Sequence, residues 1–320
     1  MKSKKIISLI IVAVFILTCS ACGKEESSKK DVVTVSYQYG IAYLPIQVVK
    51  DLNLIEKYYS GSAQIEWIIL NSGQAVNEAF ISGDIDIAAQ GVAPIITGIV
   101  KGVDYRIFSG ISSQPVKLMT NQKGISSLGD IAPDSKIAMG SLGSMQHIIL
   151  AMACEKEFGD AHALDEMVMP LSHPDAMNAV LTGSVDYHVA TPPYLFIEEE
   201  NENISEVGGV SDAWPQGNSF VVGVASSDFI NSDPELYEAF VLAVSEAVDY
   251  VNDNPEEVAA RYCEEQGVSK DTLLKYLSNP GCIYEVQTHG VIELAQFMVN
   301  NGFVDGSCPS VEDIFSEAIY

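Results

Sequence analysis

Four short segments carry side chains that could hold a small molecule, and none carries a set that could transform one. They are Gln38-Tyr39-Gly40 with Tyr43, Gln90-Gly91-Val92-Ala93 before Pro94, the stretch Ser141 to Gln146 with Gly143 and Ser144, and His188-Val189-Ala190-Thr191. Trp214, beside Pro215, is a fifth candidate. Hydroxyls, amides, aromatic rings and glycine backbone bind by hydrogen bonding and stacking. No Gly-x-Ser-x-Gly, His-Glu-x-x-His or phosphate-loop lysine occurs, so the common nucleophilic, zinc-hydrolytic and phosphoryl-transfer chemistries have no carrier. His147, His162, His173, His188 and His289 lack metal-ligand spacing. Asp84-x-Asp86 begins like a calcium loop, but Ile95 stands where the closing glutamate belongs. The expectation is non-catalytic capture, with no cofactor.

These segments matter because of what precedes and follows them. Val32 to Tyr37 is a β-branched strand run and Leu44 to Tyr58 has helical spacing. Ile65 to Leu70 reads as strand, Gln74 to Ser82 as a helix stopped by Gly83, and Ile85 to Ala89 as strand. Lys136 to Met139 is a strand leading into the helical stretch Met145 to Phe158. Phe220 to Ala225 is a further apolar strand. Beyond it, Asp233-Pro234-Glu235 and Asn254-Pro255-Glu256-Glu257 read as helix starts, the second with Glu257 placed for a capping box. Repeated β–α alternation predicts mostly parallel sheets covered by helices. In such sheets ligands bind outside the carboxyl ends of strands, which is where the four segments fall.

One stretch repeats. Ala79-Phe80-Ile81-Ser82-Gly83-Asp84-Ile85-Asp86 is echoed by Ala179-Val180-Leu181-Thr182-Gly183-Ser184-Val185-Asp186. The echo predicts two related lobes, the second inserted into the first: residues 32–112 with 223–320, and residues 113–222. Two chain crossings would then form a hinge.

The ends and the charge set the location. Lys2, Lys4 and Lys5 precede a 12-residue apolar run, Ile6 to Leu17, short of the roughly 20 residues that span a bilayer. Ser20-Ala21-Cys22-Gly23 follows and resembles the bacterial lipobox, although Cys19 stands where a leucine is usual. The resemblance implies removal of residues 1–21, lipid attachment at Cys22, and an extracytoplasmic protein held at the membrane. Residues 22–31 read as a flexible tether. The net charge is −26, and without the first 21 residues 14 basic stand against 43 acidic ones, or −29. Such a chain is unsuited to nucleic acid. Cys154, Cys263, Cys282 and Cys308 could form disulfides in three pairings, with Cys282–Cys308 the one considered, or remain buried thiols.

Taken in order, a set of segments resembles the type 2 periplasmic binding proteins, within the nitrate, sulfonate and taurine group that also contains thiamine-precursor binding proteins. They are Gly40-Ile41-Ala42-Tyr43-Leu44-Pro45, Ser72-Gly73 with Ala79 to Gly91, Leu171-Ser172-His173-Pro174-Asp175-Ala176-Met177 with Leu181-Thr182-Gly183, Thr191-Pro192-Pro193, Asn218-Ser219-Phe220, and Phe297-Met298-x-x-x-Gly302. The resemblance implies an α/β, two-lobed fold. It also implies a monomeric solute-binding lipoprotein that delivers its ligand to the permease and ATPase subunits of an ABC importer. It adds Ser72 to the candidate site of Tyr39, Gly40, Tyr43, Gln90, Gly91, Ser141, Gly143, Ser144, His188, Thr191 and Trp214.

Two ligand classes fit that expectation. A small anion such as an aliphatic sulfonate, taurine or nitrate would use the helix starts after Gly91 and Ser144. Each end supplies about 0.3–1 kcal/mol when exposed and up to roughly 2 when partly buried, while micromolar binding needs roughly −8 kcal/mol. A flat pyrimidine of thiamine-precursor type would instead be sandwiched by Tyr37, Tyr39, Tyr43, Tyr187 and Trp214. Structural roles compete with both: Ser141 to Ser144 as a turn and cap, Tyr39 and Tyr43 as core, His188 as a hydrogen-bonded core residue. Fungal pyrimidine-forming enzymes share the fold but carry a cysteine-rich iron motif that is missing here, so enzyme activity is not expected.

Overall fold

A computed structural model describes residues 30–317. The predicted signal, Cys19, Cys22 and most of the tether lie outside the described residues. Val32–Tyr37 forms strand β1, whose β-branched residues at 33 and 35 are buried. The other strands are β2 (Gln64–Ile69), β3 (Ile87–Gly91), β4 (Tyr105–Ser112), β5 (Lys117–Thr120), β6 (Ile137–Met139), β7 (Val168–Pro170), β8 (Tyr187–Ala190), β9 (Ser205–Val207) and β10 (Val221–Ser226).

They build two five-stranded sheets, ordered β2-β1-β3-β10-β4 and β7-β6-β8-β5-β9. In the first, β1 runs parallel to β2 and β3, and β10 is antiparallel to both neighbours. In the second, β6 runs parallel to β7 and β8, and β5 is antiparallel to both neighbours. The two sheets therefore have the same plan, with one reversed strand each. The chain leaves the first sheet after Ser112 and re-enters it at Val221, which makes two crossings. After β10 every named element is a helix.

The sequence echo has a physical basis. Ser72 and Ser172 each cap a ten-residue helix, Gly73–Ser82 and His173–Thr182, and each accepts a backbone N–H three residues on. Gly83 and Gly183 end those helices with φ 76° and 75°, a left-handed conformation that suits glycine. Three residues on, each aspartate ties a strand start. Asp86 accepts the Thr34 N–H at 3.0 Å and returns its own N–H to the Thr34 carbonyl at 2.9 Å. Asp186 does the same with Lys136, at 2.9 and 3.2 Å.

Two local expectations are corrected. The helical stretch from Leu44 to Tyr58 is two helices, Leu44–Asp51 and Leu54–Tyr58, because Asn53 takes a left-handed conformation at φ 50°, one asparagine tolerates well. At Asn254-Pro255 no capping box forms: Asn254 Nδ2 is turned back to the Tyr250 carbonyl at 3.1 Å. Of the two cysteine states the sequence left open, the structure has free thiols at all four described positions, Cys154 and Cys282 buried and Cys263 and Cys308 partly so. Burial pushes the Cys154 and Cys282 thiols up to about 12. By contrast, Asp233 caps the long helix Pro234–Asp253, whose Leu236, Phe240, Val244, Val248 and Val251 are buried.

Candidate functional site

The strand ends of both sheets face one small cleft of about 40 Å³. The first sheet supplies Gln38, Tyr39, Tyr43, Asn71, Ser72, Gly73 and Gly91; the second supplies Gly140, Ser141, Ser144, Gln146, His173 and Thr191. No charged side chain lines it among the described residues. One water needs about 10–15 Å³ of such space, so the cleft has room for about three, and a guest larger than that requires the lobes to part.

The glycines make the approach possible. Gly40 has φ 109°, and a Cβ there would lie 3.5 Å from the Pro192 carbonyl across the cleft. A Cβ on Gly91 would lie 2.8 Å from Met145 Cγ, so glycine lets the second lobe's Met145 seat against the first. On Gly73 it would strike the Pro94 ring at 2.4 Å.

Three helices start at the cleft with different vacancies. At Gly73–Ser82, Ser72 Oγ takes the Ala75 N–H at 3.2 Å. At Met145–Phe158, Ser144 Oγ takes the His147 N–H at 3.2 Å. The earlier amides of both ends have no intrahelical acceptor. The helix Val92–Val100 departs from the expectation of an open anion site. Val92 N–H donates to the Phe220 carbonyl at 3.3 Å, Ala93 N–H to Met145 Sδ at 3.2 Å, and Pro94 has none to give.

Of the sequence candidates, Tyr39, Tyr43, Ser72, Gly91, Ser141, Ser144 and Thr191 line the cleft, with Gly40 at its edge. Gln90 lies fully buried behind it, its Nε2 3.3 Å from Asn77 Oδ1 and its Oε1 without a partner. Three candidates are elsewhere. Gly143 lines a neighbouring groove and donates its N–H to His147 Nδ1 at 3.0 Å. His188 is fully buried against Glu198, Nδ1 to Oε1 at 2.5 Å, in the structural role open to it. Trp214 lines a separate cavity of about 130 Å³ between the two crossings, with Ser113, Gln114 and Pro215. Of the five aromatics expected to sandwich a ring, only Tyr39 and Tyr43 reach the cleft, because Tyr37 and Tyr187 are core.

His173 was not among the candidates, and Gln146 stood among them only as the end of the third segment. The His173 ring faces Gly140, stacks on Tyr194 at 6.1 Å, and has its Nε2 3.4 Å from Gln146 Nε2. Burial, and then nearby His188, push its imidazole down to about 4. Extending the 100-residue echo back from Ala179 would have found it, since Ser172-His173 occupies the place of Ser72-Gly73.

Among the described residues no group of three His, Cys, Asp or Glu side chains is arranged for a metal ion, and no helix is long and apolar enough to cross a membrane.

The architecture is shared with solved structures. The alkanesulfonate-binding protein SsuA from Xanthomonas axonopodis pv. citri, bound to MOPS, superposes with a TM-score of 0.71 at 15% identity, over 87% of this chain and 96% of that one. A ligand-binding component of an ABC-type import system from Staphylococcus aureus, with zinc bound, gives 0.72 at 15% identity over 91% and 98%. A Candida albicans gene product described as having the generic periplasmic binding protein fold gives 0.66 at 15% over 86% and 92%. These likenesses establish the two-lobed periplasmic binding protein fold that the sequence resemblance implied. No curated protein matches the chain significantly in sequence. The family model described as NMT1-like matches residues 26–264, and the chain belongs to that family.

Proposed function

We propose that this protein is the extracytoplasmic, lipid-anchored solute-binding component of an ABC importer, and that its cleft closes on a small anion of the sulfonate class. The observation that carries this is a charge-free cleft flanked by two helix N-termini, one from each lobe, at Ser72-Gly73 and Ser144-Met145. Amide donors and the positive end of a helix favour an anion without a cationic side chain. Hydroxyls of Ser141, Ser144 and Thr191, the Gln146 amide and Tyr39 would supply the remaining contacts. The Xanthomonas fold relative, which binds alkanesulfonates, supports the ligand class.

Cys22 would carry the lipid, and the permease and ATPase would receive the ligand. The protein would act as a monomer without chemistry of its own. Lobes 32–112 with 223–320, and 113–222, would move as the two jaws. Pyrimidine binding is the weaker alternative, since three of its five proposed aromatics lie outside the cleft.

Isothermal calorimetry with MOPS, taurine, nitrate and an aminopyrimidine tests the reading. Saturable heat with at least one anion, reduced about tenfold in affinity in Ser72→Ala and Ser144→Ala, is expected; heat with the pyrimidine alone would overturn it.

A further inference from the structure

Beside the cleft lies a larger groove of about 540 Å³ between the lobes, and across it runs a hydrogen-bonded set that capture does not require. Asp165 of the second lobe holds two histidines, one per oxygen: His147 Nε2 at 2.8 Å on Oδ1, and His162 Nδ1 at 2.7 Å on Oδ2. His162 Nε2 lies 2.7 Å from the backbone carbonyl of Asn301, which belongs to the C-terminal part of the first lobe. Two residues on, the Phe303 ring enters between the imidazoles. It lies 4.3 Å from His162 at 32° and 5.5 Å from His147 at 83°. Phe303 is braced from its own lobe by Phe297 at 5.9 Å and by its N–H on the Met298 carbonyl at 2.9 Å.

The partners assign the protons. His147 Nδ1 accepts the Gly143 N–H at 3.0 Å, so that nitrogen carries no hydrogen and the ring is neutral, donating from Nε2. His162 faces a carboxylate and a carbonyl, both acceptors only, so the full set forms when both of its nitrogens carry hydrogen. We infer that Asn301 and Phe303 dock on the His147–Asp165–His162 set as a latch holding the lobes closed, and that the proton on His162 sets the latch's strength. The inference rests on the capture reading, as regulation of the same cleft.

The other charged groups are few. Asp160 accepts the His162 N–H at 2.9 Å, and Glu78 and Lys101 of the first lobe line the same groove. Asp165, followed by the Asn301 carbonyl, raises His162 above the ordinary 6.5, and burial lowers His147 below it. A group raised in the closed state contributes fully below its open-state value and is lost as pH rises through the closed-state one. Above that point His162 keeps one N–H, and either Asn301 or Asp165 loses its donor. In acid, a proton on His147 Nδ1 meets the Gly143 N–H and breaks that bond within the second lobe, which frees the ring that Phe303 packs against from the other lobe. Closure is therefore strongest between the lowered value of His147 and the raised value of His162.

Small-angle X-ray scattering of the ligand-free chain from pH 6 to pH 9 measures closure. The open fraction of the wild type is expected to rise roughly three- to tenfold across that range, as expected for one charge-assisted hydrogen bond. His162→Gln, which donates without titrating, should give a pH-independent profile, and Phe303→Leu should be more open throughout. A wild-type profile that does not change with pH, or an unchanged response in His162→Gln, overturns the latch. Should a variant fold poorly, proton NMR of the wild-type histidines reads the premise by itself: a His162 that titrates at or below 6.5 overturns the latch. No ligand enters either measurement, so failure of the latch and failure of sulfonate capture are separable.

Discussion

The thioether of Met145 accepts the Ala93 N–H across the cleft at 3.2 Å, so one lobe caps a helix of the other. The donor consumed is the one an anion would have used at the Val92–Val100 helix. Met145→Ala is expected to release it and to raise sulfonate affinity about threefold, within the range of one helix-end donor. Met145→Leu keeps most of the volume without an acceptor and should cost less than about 1.5 kcal/mol in stability. Calorimetry with MOPS, alongside urea denaturation, separates the two effects.

His173 makes the folded protein acid-sensitive from inside the cleft. Burial holds its imidazole down at about 4, well below the ordinary 6.5. The unfolded chain therefore binds a proton that the folded chain refuses. Its contribution is complete above pH 6.5 and is lost as pH falls from there through 4. In His173→Phe the urea midpoint should fall less between pH 7 and pH 4.5 than in the wild type. An equal fall in both would show that His173 titrates normally.

The paired aspartates offer a comparison within one chain. Asp86 is buried at 3% exposure and also holds Lys30, whereas Asp186 is half-buried and shares an oxygen with Gln122. Replacing either by alanine leaves a strand N–H without its acceptor. The cost should be about 1–3 kcal/mol for Asp86→Ala and smaller for Asp186→Ala, where water can reach the amide. Equal midpoint shifts in urea would contradict the burial argument.

Much of this was legible because it is local. The glycine after each helix, the aspartate after each glycine and the proline at residue 234 each dictate a short-range geometry, and the structure has them. The family resemblance supplied the order of segments and, with it, the architecture. What escaped depends on contacts between lobes. Nothing near Val92 in the chain announces that Met145 and Phe220 will consume its helix-end donors. Trp214 was drawn toward the ligand by its chemistry, but it follows a strand that ends on the hinge side. His188 is next to the strand end in the sequence, but it is the second residue of β8, paired on both sides, and its ring is held by the buried Glu198 ten residues on. His173 was within reach, one residue past the repeated serine cap.

Trp214 remains useful as a reporter of the hinge. The chain has two tryptophans; Trp67 is half-buried in β2, and Trp214 sits in the cavity walled by both crossings. Its indole Nε1 is buried without a partner, as are both polar atoms of Gln114 beside it. Rotation about the crossings must move Ser113 to Lys117 relative to Val210 to Gln216, and so alter the polarity around the indole. Closure on ligand should therefore shift the emission of a Trp67→Phe protein with a single saturable isotherm. Trp214→Phe should abolish the shift while leaving the calorimetric affinity within about twofold, since residues away from the contact surface contribute little. An isotherm that survives Trp214→Phe would place the moving element near Trp67 and away from the crossings.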